Sequence, residues 1–270
     1  MKLGLHGKKA LVTGASDGLG AGIAKLYAEE GAIVGVHGRN RERIEEVVST
    51  IRDAGGQAYP LVADLIDPAG APALVDAALA AMGQVDILVA NAGGSGDEKS
   101  MTWEGTNEKM WAETFQLNVH STVELIRRLA PAMKERGYGR IIVMSSAAGI
   151  EPIPMQPAYG AAKAALLNLT VSTSKWLRGS GVTINAISPG AILTKATKGY
   201  IERAAADRGW EGEFAELEAR IVKSQMRIPV GRTGRVREVA GLAAFLASDY
   251  AGFIHGADYR IDGGVIGTIS

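Results

Sequence analysis

Short apolar runs rich in Val, Ile and Ala alternate along this chain with longer segments whose apolar residues recur every three or four positions. That alternation constrains the fold more than any other feature. A short β-branched run bounded by turn residues reads as a strand, and a 3.6-residue period reads as a helix with one buried face. When the two alternate, each helix can serve as the crossover between parallel strands, which must then be covered on both faces. Strands are expected at residues 9–13, 32–37, 57–63, 86–90, 140–145, 182–187 and 258–261. Helices are expected at 18–30, 41–54, 71–81, 107–136, 158–177 and 236–247. Ile44, Val47, Val48 and Ile51 form the apolar stripe of the second helix. Pro60 cannot donate to a ladder, so the third strand belongs at an edge. Pro131 suggests a break in the long helix at 107–136. The expected class is α/β: a doubly wound parallel sheet with helices on both faces, in one domain spanning 1–270. Residues 192–227 are read as an excursion for substrate.

Composition narrows the function. With 270 residues the chain can bury a sizeable core. Its 29 basic and 29 acidic residues cancel, so no global field draws it to nucleic acid or a membrane surface. No run of 18 apolar residues suggests a membrane span. No apolar segment precedes the first lysines, and a cytoplasmic protein is the expectation. There is no Cys, hence no thiolate nucleophile and no Cys-ligated metal. His6, His37, His120 and His255 show no ligand spacing, so they read as isolated structural or surface residues, and no metal is expected.

The first strand runs into Thr13-Gly14-Ala15-Ser16-Asp17-Gly18-Leu19-Gly20. Gly14 can make the tight turn, Gly18 can let backbone approach a pyrophosphate, and Gly20 can bring helix and strand close. Free N–H groups at the helix start then face phosphate charge. At the end of the second strand Gly38 lacks the carboxylate that often binds an adenosine ribose. Arg39 can pair with a 2′-phosphate, with Arg41 as a second candidate. Asp17 adds opposing charge. The reading is NADP(H) favoured, with NAD(H) possible. Asp64 could meet the adenine amino group, or simply make a turn. Asn91-Ala92-Gly93 follows the fourth strand.

Tyr159 and Lys163 lie four residues apart, on one helical face. An ammonium near a phenol favours phenolate and lowers the Tyr pKa, and the pair could exchange a proton while a nicotinamide moves a hydride. Ser145 and Ser146 close the fifth strand, where a hydroxyl could orient a carbonyl. Asn118 could hold a water near Lys163, or bond within a helix bend.

Together these motifs resemble the classical branch of the short-chain dehydrogenase/reductase family, over about residues 8–264. The glycine turn, Asp64, Asn91-Ala92-Gly93, Asn118, Ser146, Tyr159, Lys163, Pro189-Gly190 with Thr194, and Asp262-Gly263-Gly264 occur in the family's order and spacing. The resemblance implies a catalytic set of Asn118, Ser146, Tyr159 and Lys163. It implies cofactor contacts at Gly14, Ser16, Asp17, Gly18, Leu19, Gly20, Arg39, Asp64, Leu65, Asn91, Ala92, Gly93, Tyr159, Lys163, Pro189, Gly190, Ile192 and Thr194. Tyr159 would exchange the proton, Ser146 would stabilise the substrate oxygen, Lys163 would lower the Tyr159 pKa and hold the nicotinamide ribose, and Asn118 would support a water relay. The substrate would be a small-molecule carbonyl or secondary alcohol.

The resemblance points to 3-oxoacyl reductases and sugar or polyol dehydrogenases; a cyclic ketone or a steroid also fits. An acyl carrier protein would need a basic patch, for which Arg127, Arg128, Lys134, Arg136, Lys175 and Arg178 are candidates. A nucleotide-responsive regulator without turnover is the remaining alternative. Gly93 to Gly96 could leave room for substrate, Ile150, Pro154, Met155 and Gln156 could touch it, and Trp210 with Phe214 could close over it. The apolar helices around the fifth strand suggest a homotetramer, with a homodimer second.

Overall fold

The computed structural model describes residues 2–95 and 102–267. Gly96 therefore lies outside the described residues. Seven strands form one all-parallel sheet: β1 (Lys9–Val12), β2 (Ile33–Gly38), β3 (Gln57–Val62), β4 (Ile87–Ala90), β5 (Gly139–Met144), β6 (Val182–Pro189) and, at the chain's end, Asp258–Ile261. The spatial order places β3 at one edge, then β2, β1, β4, β5 and β6, with the last strand at the other edge. The order reverses between β1 and β4, and the crevice for a ligand opens there, beyond the carboxyl ends of the strands. Pro60 sits on the edge strand, as expected, and Val36 lies beside it on the single neighbouring strand.

Helices cover both faces. α1 (Gly18–Glu29) and α2 (Arg41–Asp53) pack on one face with the late helix Val236–Ala247. α3 (Gly70–Met82), α4 (Glu108–Phe115), α5 (Ser121–Glu135) and α6 (Pro157–Trp176) follow in the chain, and α3, α5 and α6 fill the other face. The stripe Ile44, Val47, Val48 and Ile51 is buried, as its spacing demands. Each such side chain contributes roughly 1.5–3 kcal/mol by leaving water. Asn40 starts α2 by accepting from the Arg43 amide, and Asp17 starts α1 by accepting from the Gly18 amide.

The long helix departs from its expected form. Its break falls at Gln116–His120, which widens into a π turn between α4 and α5. Pro131 lies inside continuous α5. Pro131 is exposed, so solvent can reach the Arg127 carbonyl that loses its helical donor there. The π turn instead swings Asn118 into the protein.

The segment after β6 is more ordered than its polar sequence suggested. It contains β7 (Ile192–Leu193), α7 (Lys195–Ala206) and α8 (Phe214–Ile221), followed by a second π turn at Val222–Met226. β7 pairs with β8 (Gly234–Arg235) just before α9 (Val236–Ala247), and Asp258–Ile261 is β9. Ile201, Ala204 and Ile221 form a small separate core with Leu193, Trp210, Phe214, Leu217 and Met226. Charged residues on the outer faces had masked that spacing.

Candidate active site

The turn between β1 and α1 is built around glycine. Gly14 has φ 63° and Gly18 has φ 57°, a region that side chains with a Cβ disfavour. A Cβ on Gly14 would lie 2.9 Å from Ala92 Cα, and one on Gly20 would collide with the Gly14 carbonyl. Thr13 ties this turn to the end of β4: its hydroxyl accepts from the amides of Asn91 at 3.0 Å and Ala92 at 2.9 Å. Asn91 returns the contact, donating from Nδ2 to the carbonyls of Thr13 and Gly14.

Beside the turn lies a cleft of about 210 Å³, lined by Gly14, Ser16, His37, Gly38, Arg39, Leu65, Ala92, Gly93 and Leu117. Six of these, Gly14, Ser16, Arg39, Leu65, Ala92 and Gly93, were expected to meet a cofactor. Leu117 was not among them, and His37 was expected only in a structural or surface role. A Cβ at Gly38 would sit 3.0 Å from both Cβ and Oγ of Ser16, so any side chain there would press on Ser16. Asp17 is exposed and caps α1. Leu19 packs against the core. Asp64 is exposed, and its Oδ1 accepts from the Ile66 amide in a local turn.

At the other end of the crevice, β6 ends at Pro189. A Cβ on Gly190 would lie 2.8 Å from Asp262 Cα, so this glycine allows two chain segments to touch. Ile192 is buried in β7. Thr194 caps α7, accepting from the Thr197 amide, and its methyl would lie 3.6 Å from a Cβ on Gly18. The glycine turn and the Pro189–Thr194 segment thus face one another. Their cradle, closed to any Cβ at Gly14, Gly20 and Gly93, fits the backbone approach that a dinucleotide needs.

Ser146, Tyr159 and Lys163 meet beside this cradle. Ser146 lies just beyond β5, and its hydroxyl bonds that of Tyr159. Burial pushes the Tyr159 phenol up from its ordinary value, while the Ser146 bond works against this. Lys163 is buried, with Nζ donating to the Met144 carbonyl at 2.7 Å and lying 5.4 Å from the Tyr159 ring centroid. Loss of solvent brings its pKa down to about 7. The expected net lowering of the Tyr159 pKa is therefore not the balance in this structure: burial outweighs the stabilisation of phenolate. Ser145 is turned away, donating to the Lys163 carbonyl.

Asn118 also differs from the expected water holder. Its Nδ2 donates to the carbonyls of Gly94 at 2.9 Å and Thr114 at 2.8 Å, and its Oδ1 accepts from the Gly94 amide at 3.2 Å. The amide is committed to backbone because the π turn brings it against the loop after β4. A Cβ on Gly93 would strike Asn118 Oδ1 and lie 3.0 Å from Lys163 Nζ, so Gly93 lets these groups converge. Among the described residues, nothing lies within 4 Å of where a Gly94 side chain would be. Met155 is exposed, and Gln156, at φ 59°, starts α6.

The excursion's aromatics have partners within it. Trp210 packs in the small core of α7 and α8 with the Arg220 guanidinium 4.0 Å from its ring centroid. Tyr200 bonds the Gln225 side-chain amide at 2.8 Å.

The model of the short chain dehydrogenase family matches residues 8–205. The chain belongs to that family. A 3-oxoacyl-(acyl-carrier-protein) reductase of Staphylococcus aureus is 33% identical to this dehydrogenase over 261 residues, 96% of this chain and 98% of the relative. The L-sorbose reductase of Gluconobacter frateurii, solved with NADPH and L-sorbose, superposes with a TM-score of 0.91 at 30% identity, each chain fully covered. A 3-oxoacyl (acyl-carrier-protein) reductase from Agrobacterium tumefaciens, solved with NADP, gives a TM-score of 0.85 at 32% identity, covering 97% of this chain and 95% of that one. This dehydrogenase is an oxidoreductase that transfers hydride between a nicotinamide dinucleotide and its substrate. Among the described residues, no helix is long and apolar enough to cross a membrane.

Proposed function

We propose that this chain is an NADP(H)-preferring reductase of small polyhydroxylated ketones, working reversibly on the matching secondary alcohols. The observation that carries the chemistry is the Ser146–Tyr159 hydroxyl pair over buried Lys163, next to a glycine cradle. A dinucleotide bound in that cradle supplies or accepts the hydride. Tyr159 Oη gives a proton to the carbonyl oxygen in reduction and takes it back in oxidation. Ser146 holds that oxygen beside the phenol. Lys163 balances charge on the phenolate and offers Nζ toward the ribose side. Asn118 keeps the Gly93–Gly94 backbone out of the substrate's path. The expected water relay would pass beside this anchored amide.

Cofactor preference rests on two side chains. Gly38 offers no carboxylate to the ribose, and Arg39 lines the cleft with its cation exposed. The NADPH and NADP found with two of the relatives support the same reading; NAD(H) remains the second cofactor.

Two observations favour the sugar side over an acyl carrier protein. The match to the L-sorbose reductase covers the whole of both chains. The candidate docking cations are largely engaged within the chain: Arg127 and Arg128 both bond Glu124, Arg136 donates to the Val85 carbonyl, and Lys134 lies over the Trp176 ring. Lys175 and Arg178 line a different cavity with Arg140 and His255, at the amino ends of β5 and β6. We place the whole chain in one catalytic domain, with 192–227 as its substrate excursion, acting in the cytoplasm.

The test is a panel of ketohexoses, their alditols, 3-oxoacyl thioesters and steroid ketones, assayed with NADPH and NADH. Turnover of ketoses with NADPH is expected. Exclusive turnover of 3-oxoacyl thioesters would overturn the sugar assignment. Undiminished turnover in a Tyr159→Phe protein would overturn the proton path.

A further inference from the structure

His37 is buried at the end of β2, and its imidazole reaches two other turns. Nδ1 lies 3.2 Å from the Gly14 amide, and Nε2 lies 3.2 Å from the Ala63 carbonyl just beyond β3. The chemistry of the partners selects the tautomer. An amide N–H can only donate and a carbonyl can only accept, so Nδ1 is the bare nitrogen and Nε2 carries the hydrogen. One neutral ring therefore joins the ends of β1, β2 and β3 underneath the cleft.

The main chain makes a parallel link, with the Ala15 amide donating to the His37 carbonyl at 2.7 Å. That bond sets the distance between β2 and the turn. The imidazole sets something else: the direction of the Gly14 amide, in a residue held at φ 63°. With that amide turned into the protein and the Gly18 amide taken by the Asp17 side chain, the next amides of the first turn of α1 remain for phosphate.

We infer that His37 is a positioning residue for the dinucleotide, holding the Gly14–Gly20 turn in the form that receives the pyrophosphate. The inference rests on the dinucleotide reading above. It has a separate signature: pyrophosphate is common to NADPH and NADH, so His37 should matter equally to both, whereas Arg39 should matter to NADPH alone.

The experiment uses variants that split the two bonds. Asn at 37 can offer Oδ1 to Gly14 while losing Ala63; Gln can reach the Ala63 carbonyl while losing Gly14; Leu loses both. Dissociation constants for NADPH and NADH are measured by calorimetry, with amide exchange of residues 14–20 in the cofactor-free protein. His37→Gln and His37→Leu are expected to weaken both cofactors by the same factor, roughly five- to ten-fold for one lost hydrogen bond. Exchange at residues 14–20 should quicken in both variants. His37→Asn should stay within about two-fold of wild type in affinity, because the bond that matters is kept. Should His37→Leu fail to fold, the Asn and Gln variants decide the matter between them. Equal affinities and equal exchange in the Asn and Gln variants would overturn the positioning role. Loss of NADPH affinity alone would overturn it too, moving His37 into phosphate recognition beside Arg39. A wild-type protein that binds neither dinucleotide would overturn the cofactor reading itself.

Discussion

Tyr159 is held in a setting that makes the phenol a poor acid until a partner helps it. Burial raises its pKa, the Ser146 hydroxyl pulls against that, and the Lys163 ammonium stands nearby. Removing the hydroxyl in Tyr159→Phe should lower turnover by at least about 10²-fold, the usual contribution of a positioned acid or base. Cofactor affinity should stay near wild type. The pH profile of kcat/KM should carry a step near pH 7 that Lys163→Met removes, because burial brings the Lys163 amine down to about 7. At the cleft, Arg39→Ala should weaken NADPH and leave NADH unchanged, measured by titration at fixed salt. Two buried bases make a third expectation. His37 titrates at about 4, against an ordinary value of 6.5, because burial disfavours its cation over the opposing effects of the Ala63 carbonyl and Asp64. The unfolded chain therefore binds the extra proton between those values, and stability falls as pH drops through that window. The loss is on the order of 3 kcal/mol by pH 4, and denaturant titrations of His37→Asn should lack this component. Lys163, lowered to about 7 from 10.5, acts with the same sign at higher pH: stability rises from about pH 7 toward 10.5, a component absent in Lys163→Met.

Between strands and helices, the informative places are where periodicity alone misled. Residues 107–136 carry a helical pattern throughout, yet the π turn at Gln116–His120 interrupts it. Nothing in the local spacing marks that turn; it goes with a bond from Asn118 to Gly94 across 24 positions. The excursion is also pinned from a distance. Buried Glu218 on α8 accepts from the Thr233 amide and hydroxyl and from both Arg235 Nη atoms, tying α8 to β8. Removing the carboxylate strands the buried Thr233 amide, while Arg235 keeps its bonds to the Thr233 oxygens. Glu218→Ala should therefore raise amide exchange across residues 195–226 with little change at residues 9–90. Unchanged exchange in the excursion would show that its small apolar core holds it without this link.

For the molecule as a whole, the structure separates core from surface on the helices that suggested assembly. Leu125, Ile126 and Leu166 are buried in the sheet's own core, and Leu117, Val119 and Leu169 pack partly against it. Val123, Val171 and Trp176 stay exposed, and Phe253 is fully exposed. That narrower surface is what a homotetramer, or failing that a homodimer, would cover. Sedimentation equilibrium should give a species near four times 28.2 kDa, and Val171→Asp should shift it toward smaller species by placing a charge in the contact. A wild-type 28.2 kDa monomer would refute both assemblies.

Sequence by itself determined the strand–helix alternation, the edge position of Pro60, the glycine turn and the shared helical face of Tyr159 and Lys163. Each depends on local periodicity, on a residue's own backbone chemistry, or on spacing within one turn of helix. Only the tertiary structure decided that His37 braces the cleft, that Asn118 serves backbone, and that Trp210 packs within the excursion. Those outcomes depend on contacts between residues far apart in the chain, such as Gly14 with His37 and Gly94 with Asn118. A histidine's partners and a buried amide's orientation are set by whatever polar groups the packing leaves unsatisfied, and no local pattern records which groups those will be.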